Sequence, residues 1–335
     1  MLKRILITGA TGFVGSHILE ALLENDSLTV IVACRNKENL LKKFTGEVRL
    51  GDLRDEAYVR EVVKDIDIIC HAGAWTALWN HKEQSNKNYL IPSLNLIKAA
   101  KEEGIKQFIF PSTTSATTPS KSTNPLNAGV PRQFWPHLCN VIKIENELRK
   151  SASKNFSAVV LRLGIFTGKR YGVGILPILL PRLRTHLVPW VKGGQTNIPL
   201  IDGEDIGRAF LQTINAKELK NYEAFNIVGA EQPTVRELID FVHDKFDYPK
   251  PHFSVPFGIA YPFAWLMETL DPIVPWEPLV TRSIIHLLEE TQTNNDKAFE
   301  VLGYKPSVHW QDSVQKQIEE LHRNQNKAMS MAVSD

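Results

Sequence analysis

The 335-residue chain is poor in cysteine: Cys34, Cys70 and Cys139 are all it has. An odd count without metal-ligand spacing excludes a disulfide framework and a cysteine-built zinc site, and it fits a reducing compartment. Net charge is lacking too. The 39 Lys and Arg against 37 Asp and Glu leave +2, so nothing marks a nucleic-acid footprint. Short runs such as Lys101-Glu102-Glu103 read as solvated helix faces. No apolar run reaches the roughly 20 residues of a membrane helix. The richest stretch, residues 255–270, carries Phe257, Ile259, Tyr261, Phe263, Trp265, Leu266 and Leu270. Having no Lys or Arg on a polar face, it reads as a helix lining a core or pocket rather than one lying on a membrane. Internal repeats and low-complexity domains are absent. The chain enters its first strand at once, leaving no room for a signal peptide, and a cytoplasmic protein is the expectation.

What is present begins at residue 3. Lys3 to Ile7 is an apolar strand, Thr8-Gly9-Ala10-Thr11-Gly12-Phe13-Val14-Gly15 is a glycine-spaced turn, and Phe13, Val14, Ile18, Leu19, Leu22 and Leu23 set a helical period. A pyrophosphate needs backbone N–H groups at a helix N-terminus, where unsatisfied donors and the helix dipole favour an anion. Gly9 and Gly12 keep Cβ atoms out of that space, and Gly15, about one turn later, lets the helix pack closely on the strand. The turn reads as a dinucleotide-binding element.

Apolar strand candidates at residues 4–8, 28–34, 48–50, 66–71, 108–111 and 158–163 alternate with helical patterns at 57–63, 83–103 and 141–151. Such alternation specifies an α/β fold, a doubly wound parallel sheet with helices on both faces. Its ligand crevice lies at the carboxyl ends of the strands, where the strand order reverses. After Gly164 the pattern changes to loops rich in Pro and Gly. The expected division is a dinucleotide-binding domain over 1–165, to which 195–230 returns, and a smaller substrate-binding portion from 166–194 and 231–320. The polar, small-residue stretch 321–335 reads as a frayed tail.

These residues resemble the extended short-chain dehydrogenase/reductase, or NAD-dependent epimerase/dehydratase, family, and within it the 3β-hydroxysteroid dehydrogenase and dihydroflavonol reductase-like branch. Residues 8–15 are similar to the family's T-G-x-x-G-F-x-G, and Gly51-Asp52-Leu53 to the motif whose Asp meets adenine. Asp65 to Ala74, with His71, Ala72 and Gly73, resembles the strand end beside the cofactor. Phe108 to Thr113 resembles the strand ending at the catalytic Ser or Thr, which implies Thr113, with Ser112, Thr114 and Ser115 as close neighbours. Leu161 to Gly168, with Gly164, Ile165 and Phe166, is similar to the segment passing the nicotinamide. Ile201 to Ala209 and Leu302-Gly303-Tyr304-Lys305-Pro306 match later elements. The resemblance implies an oxidoreductase fold holding a nicotinamide dinucleotide, and it is compatible with a homodimer built on two long helices.

An NAD-selective site ends its second strand on Asp or Glu, which bonds the ribose hydroxyls and repels a 2′-phosphate. Here the residues are Cys34-Arg35-Asn36-Lys37. A guanidinium suits a phosphate through bidentate, charge-assisted bonds, so NADP is the expected cofactor and NAD the second choice.

The family's chemistry uses a Tyr four residues before a Lys on one helix, so that the ammonium lowers the phenol's pKa and holds the ribose. Lys143 matches the Lys, because Glu147 follows four residues later as the family's K-x-x-x-E pattern requires. Four residues earlier stands Cys139, and residues 135–143 contain no tyrosine. Three readings stay open: a reductase whose proton donor is His137, Tyr171, Cys139 or water; a different reaction using Cys139, whose thiolate Lys143 would favour; and a catalytically silent, NADP-binding regulatory protein. Trp75, Trp79, Phe134, Trp135 and Trp190 lie in segments expected to line a cavity for a small apolar or aromatic substrate.

Overall fold

The computed structural model describes residues 2–117, 134–271, 273, 278, 280–288 and 293–334. The strands, in chain order, are β1 (Lys3–Thr8), β2 (Leu28–Cys34), β3 (Glu47–Leu50), β4 (Ile68–His71), β5 (Gln107–Thr113), β6 (Ser157–Leu163), β7 (Ile165–Thr167), β8 (Trp190–Val191), β9 (Leu200–Asp202), β10 (Tyr222–Ile227) and β11 (Ser254–Val255). The helices are α1 (Phe13–Leu22), α2 (Glu56–Val62), α3 (Lys82–Ser85), α4 (Ile91–Glu103), α5 (Pro136–Ser151), α6 (Ile175–Leu183), α7 (Gly203–Asn215), α8 (Val235–Phe246), α9 (Phe257–Leu270), α10 (Arg282–Leu287), α11 (Asp296–Leu302) and α12 (Trp310–Ser334). A π-helical turn, Asn86–Leu90, joins α3 to α4.

The chain forms two compact units. The first comprises Met1–Leu163, Glu204–Ile227 and Thr291–Lys305. Its seven-stranded sheet has the order β10-β6-β5-β4-β1-β2-β3, and every pairing is parallel. This is the doubly wound α/β sheet expected from the alternation of apolar runs. The order reverses between β1 and β4, where Thr8 is paired with His71, which puts the crevice at those two carboxyl ends. The core includes Leu6, Ile31, Val59, Ile69, Leu96, Phe108, Phe110, Val141, Ile144, Leu148 and Val160.

Residues 291–305 join this unit rather than the substrate-binding portion expected of them. Lys297 explains it: its ammonium is 2.5 Å from Glu223 Oε2, donates to the Ala224 carbonyl at 3.1 Å and lies over the Phe225 ring, fastening α11 to β10.

The second unit comprises Gly164–Gly203, Val228–Glu290 and Pro306–Asp335. It holds the parallel pairs β7·β9 and β8·β11 and a core of Leu176, Leu180, Trp190, Leu238, Val242, Tyr248, Val314 and Ile318. Residues 321–334, expected to fray, continue α12, because Val314, Ile318 and Leu321 form an i, i+4, i+7 stripe against that core. Helix α9 lines a core on one face only: Ala260 and Ala264 are buried with Ile285, and Phe257 and Tyr261 pack against them, while Ile259, Phe263, Trp265, Leu266 and Leu270 are exposed. Among the described residues no helix is long and apolar enough to cross a membrane.

Candidate functional site

The glycine turn sits at the point where the sheet order reverses. Gly9 has φ +70°, and a Cβ there would lie 2.5 Å from the Gly73 nitrogen and 2.6 Å from the Ala72 carbonyl. A Cβ on Gly15 would lie 2.2 Å from the Gly9 oxygen. Both glycines are therefore required by the protein's own backbone. Gly12 is different: a Cβ would meet only the Gly9 oxygen, at 3.4 Å, an ordinary contact. The space kept clear at Gly12 is not used by the fold, as a cradle for a ligand requires.

Gly12 is also the N-cap of α1 and supplies no capping side chain, and the first turn has no acidic residue. By contrast α2 is capped by Asp55 and α8 by a Thr234–Glu237 capping box. An uncapped N-terminus without carboxylates suits an anion. Thr11, Phe13 and Val14 are half-buried around it.

Behind the turn lies a hydrogen-bond chain with one consistent proton assignment. Ser93 Oγ donates to the Tyr89 carbonyl at 2.7 Å, so it accepts from His71 Nε2 at 2.9 Å. His71 Nδ1 then accepts from Thr8 Oγ1 at 2.7 Å, and Thr8 Oγ1 accepts the Gly73 N–H at 3.2 Å. Burial pushes the His71 pKa down to about 4, keeping the ring neutral. The His71 side chain is consumed in bracing β1, β4 and α4, so only its backbone is left to face a cofactor.

At the sheet's other flank Arg35 and Lys37 are exposed just past β2. Asp52, expected to meet adenine, is forked by Arg54: Nη2 donates to Oδ2 at 2.6 Å and Nε to Oδ1 at 3.1 Å. That pairing, with Arg35 further off, holds the carboxyl below its ordinary range. Leu53 packs on the core.

The reacting end is built from β5 and α5, which pack together. Ser112, Thr114 and Ser115 are buried, and Thr113 alone of the four hydroxyls is partly open. Thr113 Oγ1 accepts the Ser115 N–H at 3.2 Å, which leaves its own proton to donate. Ser112 is committed to Glu145 by a short bond. Glu145 in turn takes a bidentate pair from Arg162, at 3.1 and 2.7 Å, with both side chains fully buried.

Glu145 therefore marks the face of α5 that looks onto the sheet, and the expected pair is not on it. At about 100° per residue, Lys143 lies some 160° around the helix from Glu145. It opens an exposed stripe with Asn146, Arg149 and Lys150, and the half-buried Cys139 precedes it by about one turn. The Lys143 ammonium is 3.5 Å from Asn140 Oδ1. Glu147, the carboxylate that suggested Lys143, is half-buried and accepts only a long Ser151 bond among those described. Burial raises the Cys139 pKa, against the lowering by Lys143 and Lys82.

Counting back from Glu145 by four and eight gives Val141 and His137. His137 packs against Tyr89 with the rings tilted by 31° and centroids 5.1 Å apart, and its Nδ1 is buried with no partner. Burial pushes its pKa to about 4 against a hydrogen bond to the Trp75 backbone. Trp135 is buried with its indole N–H on the Ala77 carbonyl at 3.0 Å, and Trp75 and Trp79 flank His81.

Gly164, Ile165, Phe166 and Tyr171 belong to the second unit. The Ile165 N–H donates to the Pro199 carbonyl at 2.7 Å, and a Cβ on Gly164 would lie 2.0 Å from that oxygen. Phe166 meets the Tyr171 ring edge-on, and burial pushes the Tyr171 phenol up to about 12, away from proton donation. Trp190 is packed under Arg236 in that unit's core. Among the described residues no three His, Cys, Asp or Glu could hold a metal.

Sequence reasoning missed the Glu145–Arg162 pair. The signal was Arg162 itself, a lone charge inside the apolar run Ala158-Val159-Val160-Leu161-Arg162-Leu163, which requires a buried counter-ion.

Comparison with known proteins agrees with this architecture. Residues 5–228 match the NAD dependent epimerase/dehydratase family, and the chain belongs to that family of Rossmann-fold, NAD(P)-binding oxidoreductases and epimerases. It is 23% identical to mouse (Mus musculus) sterol-4-alpha-carboxylate 3-dehydrogenase, decarboxylating, covering 96% of this chain and 91% of that one. It is 24% identical to 2-alkyl-3-oxoalkanoate reductase of Stenotrophomonas maltophilia, over 93% and 98%. The structure of Bacillus cereus UDP-glucuronic acid 4-epimerase, in complex with UDP-glucuronic acid and NAD, shares the fold at a TM-score of 0.72, with 19% identity over 96% and 99% of the two chains.

Proposed function

We propose that the protein is an NADP-dependent oxidoreductase of this family, acting on a secondary alcohol or ketone of apolar body. The observation that carries the reading is the room kept at Gly12, beside an uncapped α1 terminus and between two glycines the fold itself demands. Gly9, Thr11, Gly12, Phe13, Val14 and Gly15 would hold the pyrophosphate, with Ala72 and Gly73 as its wall. Arg35, supported by Lys37, would pair with the 2′-phosphate, since no carboxylate ends β2 to repel it. When bound, the nicotinamide supplies the hydride donor or acceptor. Thr113 would donate a hydrogen bond from its hydroxyl to the substrate oxygen. The Trp75 and Trp79 side chains favour an apolar substrate.

The names of the two relatives describe a common chemistry, a 3-position alcohol or ketone beside a carbon bearing a carboxylate. Apolar 3-hydroxy and 3-oxo acids are the substrate class to try first. A second reading, a dinucleotide-binding protein without turnover, is favoured by the outward position of Lys143 on α5.

Titration of purified protein with NADPH and NADH, followed by turnover assays on those acids, tests both. Arg35→Ala should weaken NADPH binding by about tenfold or more, as loss of a charge-assisted bond predicts, and leave NADH binding nearly unchanged. Equal affinity of the wild type for the two would sink the NADP assignment. Tight NADPH binding with no oxidation or reduction of any acid would favour the silent reading.

A further inference from the structure

The orphaned nitrogen of His137 calls for an explanation, because buried polar atoms without partners are rare in folded proteins and recur at catalytic positions. Its surroundings define it. His137 lies eight residues before Glu145, so about 80° of arc separates them, and the face that carries the Ser112 and Arg162 contacts also turns His137 inward. The ring is clasped from two directions. Tyr89, from the π-helical turn, packs against it at a tilt. The Trp75 backbone lies beside it, and Nδ1 is buried without a hydrogen-bond partner. A neutral imidazole with its proton on Nε2 has Nδ1 as its acceptor.

Both clasps lead to the site. Trp75 stands two residues beyond Gly73, which bonds Thr8 at the glycine turn. Tyr89 accepts the Ser93 hydroxyl of the His71 chain, and on the far side Ser112, bonded to Glu145, adjoins Thr113. His137 is thus packed against residues that neighbour the dinucleotide cradle, on the helix whose Glu145 bonds the residue before Thr113.

Resting on the proposed oxidoreductase reading, we propose that His137 is the catalytic base of this site, its Nδ1 taking the proton of the substrate hydroxyl, and that Cys139 and Lys143 take no part in proton transfer. The substrate's O–H bond breaks with its proton passing to Nδ1, while its carbinol hydride leaves to oxidised NADP; alcohol becomes ketone, and the imidazolium gives its proton to water. A neutral ring with an unpartnered nitrogen meets that need.

The test compares His137→Gln, whose side-chain amide keeps a donor for the Trp75 carbonyl but has no basic nitrogen, with Cys139→Ala and Lys143→Met. In NADP-dependent oxidation of apolar 3-hydroxy acids, His137→Gln should lose about a hundredfold or more of kcat, bind NADPH within twofold of wild type and lose the acid limb of the pH profile. The other two variants should stay within threefold. A His137→Gln enzyme with wild-type kcat, or a Cys139→Ala enzyme without turnover, overturns the assignment.

A wild type that oxidises nothing fails the oxidoreductase reading, and His137 is then judged separately from its imidazole ¹⁵N signals. A pyridine-type Nδ1 resonance that shifts when a 3-hydroxy acid joins the NADP complex supports the assignment. A resonance that does not move overturns it.

Discussion

The glycine turn after β1 and the first half of α5 serve the same end of one unit, yet they are held in place by different means. The turn is fixed by atoms within a few residues of itself or directly across the β1–β4 pair: Gly9 against Ala72 and Gly73, Gly15 against Gly9. Helix α5 is fixed by a long-range polar contact, Glu145 reaching Ser112 and Arg162 across 33 and 17 residues of sequence. A motif whose constraints are local keeps its spacing wherever it occurs. A helix face chosen by a distant partner can turn by two residues and leave the amino-acid pattern nearly the same.

The largest break in this comparison comes from Glu145→Ala, which leaves Arg162 as an uncompensated buried charge and should cost about 3–5 kcal/mol. Urea unfolding measures it, and a double variant adding Arg162→Met should recover much of the loss. Equal instability of single and double variants would mean that the pair does not set the helix.

Acid separates the regions less. His71 behind the turn has its pKa lowered from 6.5 to about 4 by burial, so the unfolded chain binds the extra proton first. Stability is whole above about pH 6.5, falls as pH drops, and is down by about 3 kcal/mol near pH 4 from this group. His137 adds to the loss with the same sign. Unfolding midpoints between pH 7 and 4 check it, and His71→Gln should flatten the dependence.

The smallest and sharpest test is within the turn. Gly15→Ala should cost about 1–3 kcal/mol of stability because backbone stands in the way. Gly12→Ala should cost less than about 1 kcal/mol but weaken NADPH binding by tenfold or more. Loss of fold at Gly12, or unchanged binding, would remove the argument that its space is kept for a ligand.

How much the sequence discloses follows the same division. The six early strands could be placed because each is an apolar run between turn signals, and Leu28–Cys34 has the same ends in structure and sequence. Thr113 could be placed because it ends β5. The face of α5 could not, since Glu145 and Glu147 are equally plausible carboxylates until Arg162 selects one. The strands β7 and β9, of three residues each, carry too short a pattern to be read. The exposure of α9 is likewise invisible, because composition reports that a helix is apolar and not whether anything covers it.

The π-helical turn Asn86–Leu90 has a consequence for how this site can change. It accommodates one residue more than an α-helical path of equal rise, and Ser85 just before it and Asn86 at its start meet Asn140 of α5 at 2.9 and 3.0 Å. Deleting one residue there would straighten α3 and α4 into a single helix and turn α3 by about 100° relative to α4. Ser85 and Asn86 would leave Asn140. A single codon lost at this turn would thus alter the reacting end while the dinucleotide cradle stayed as it is, a route by which the two halves of the site can evolve separately.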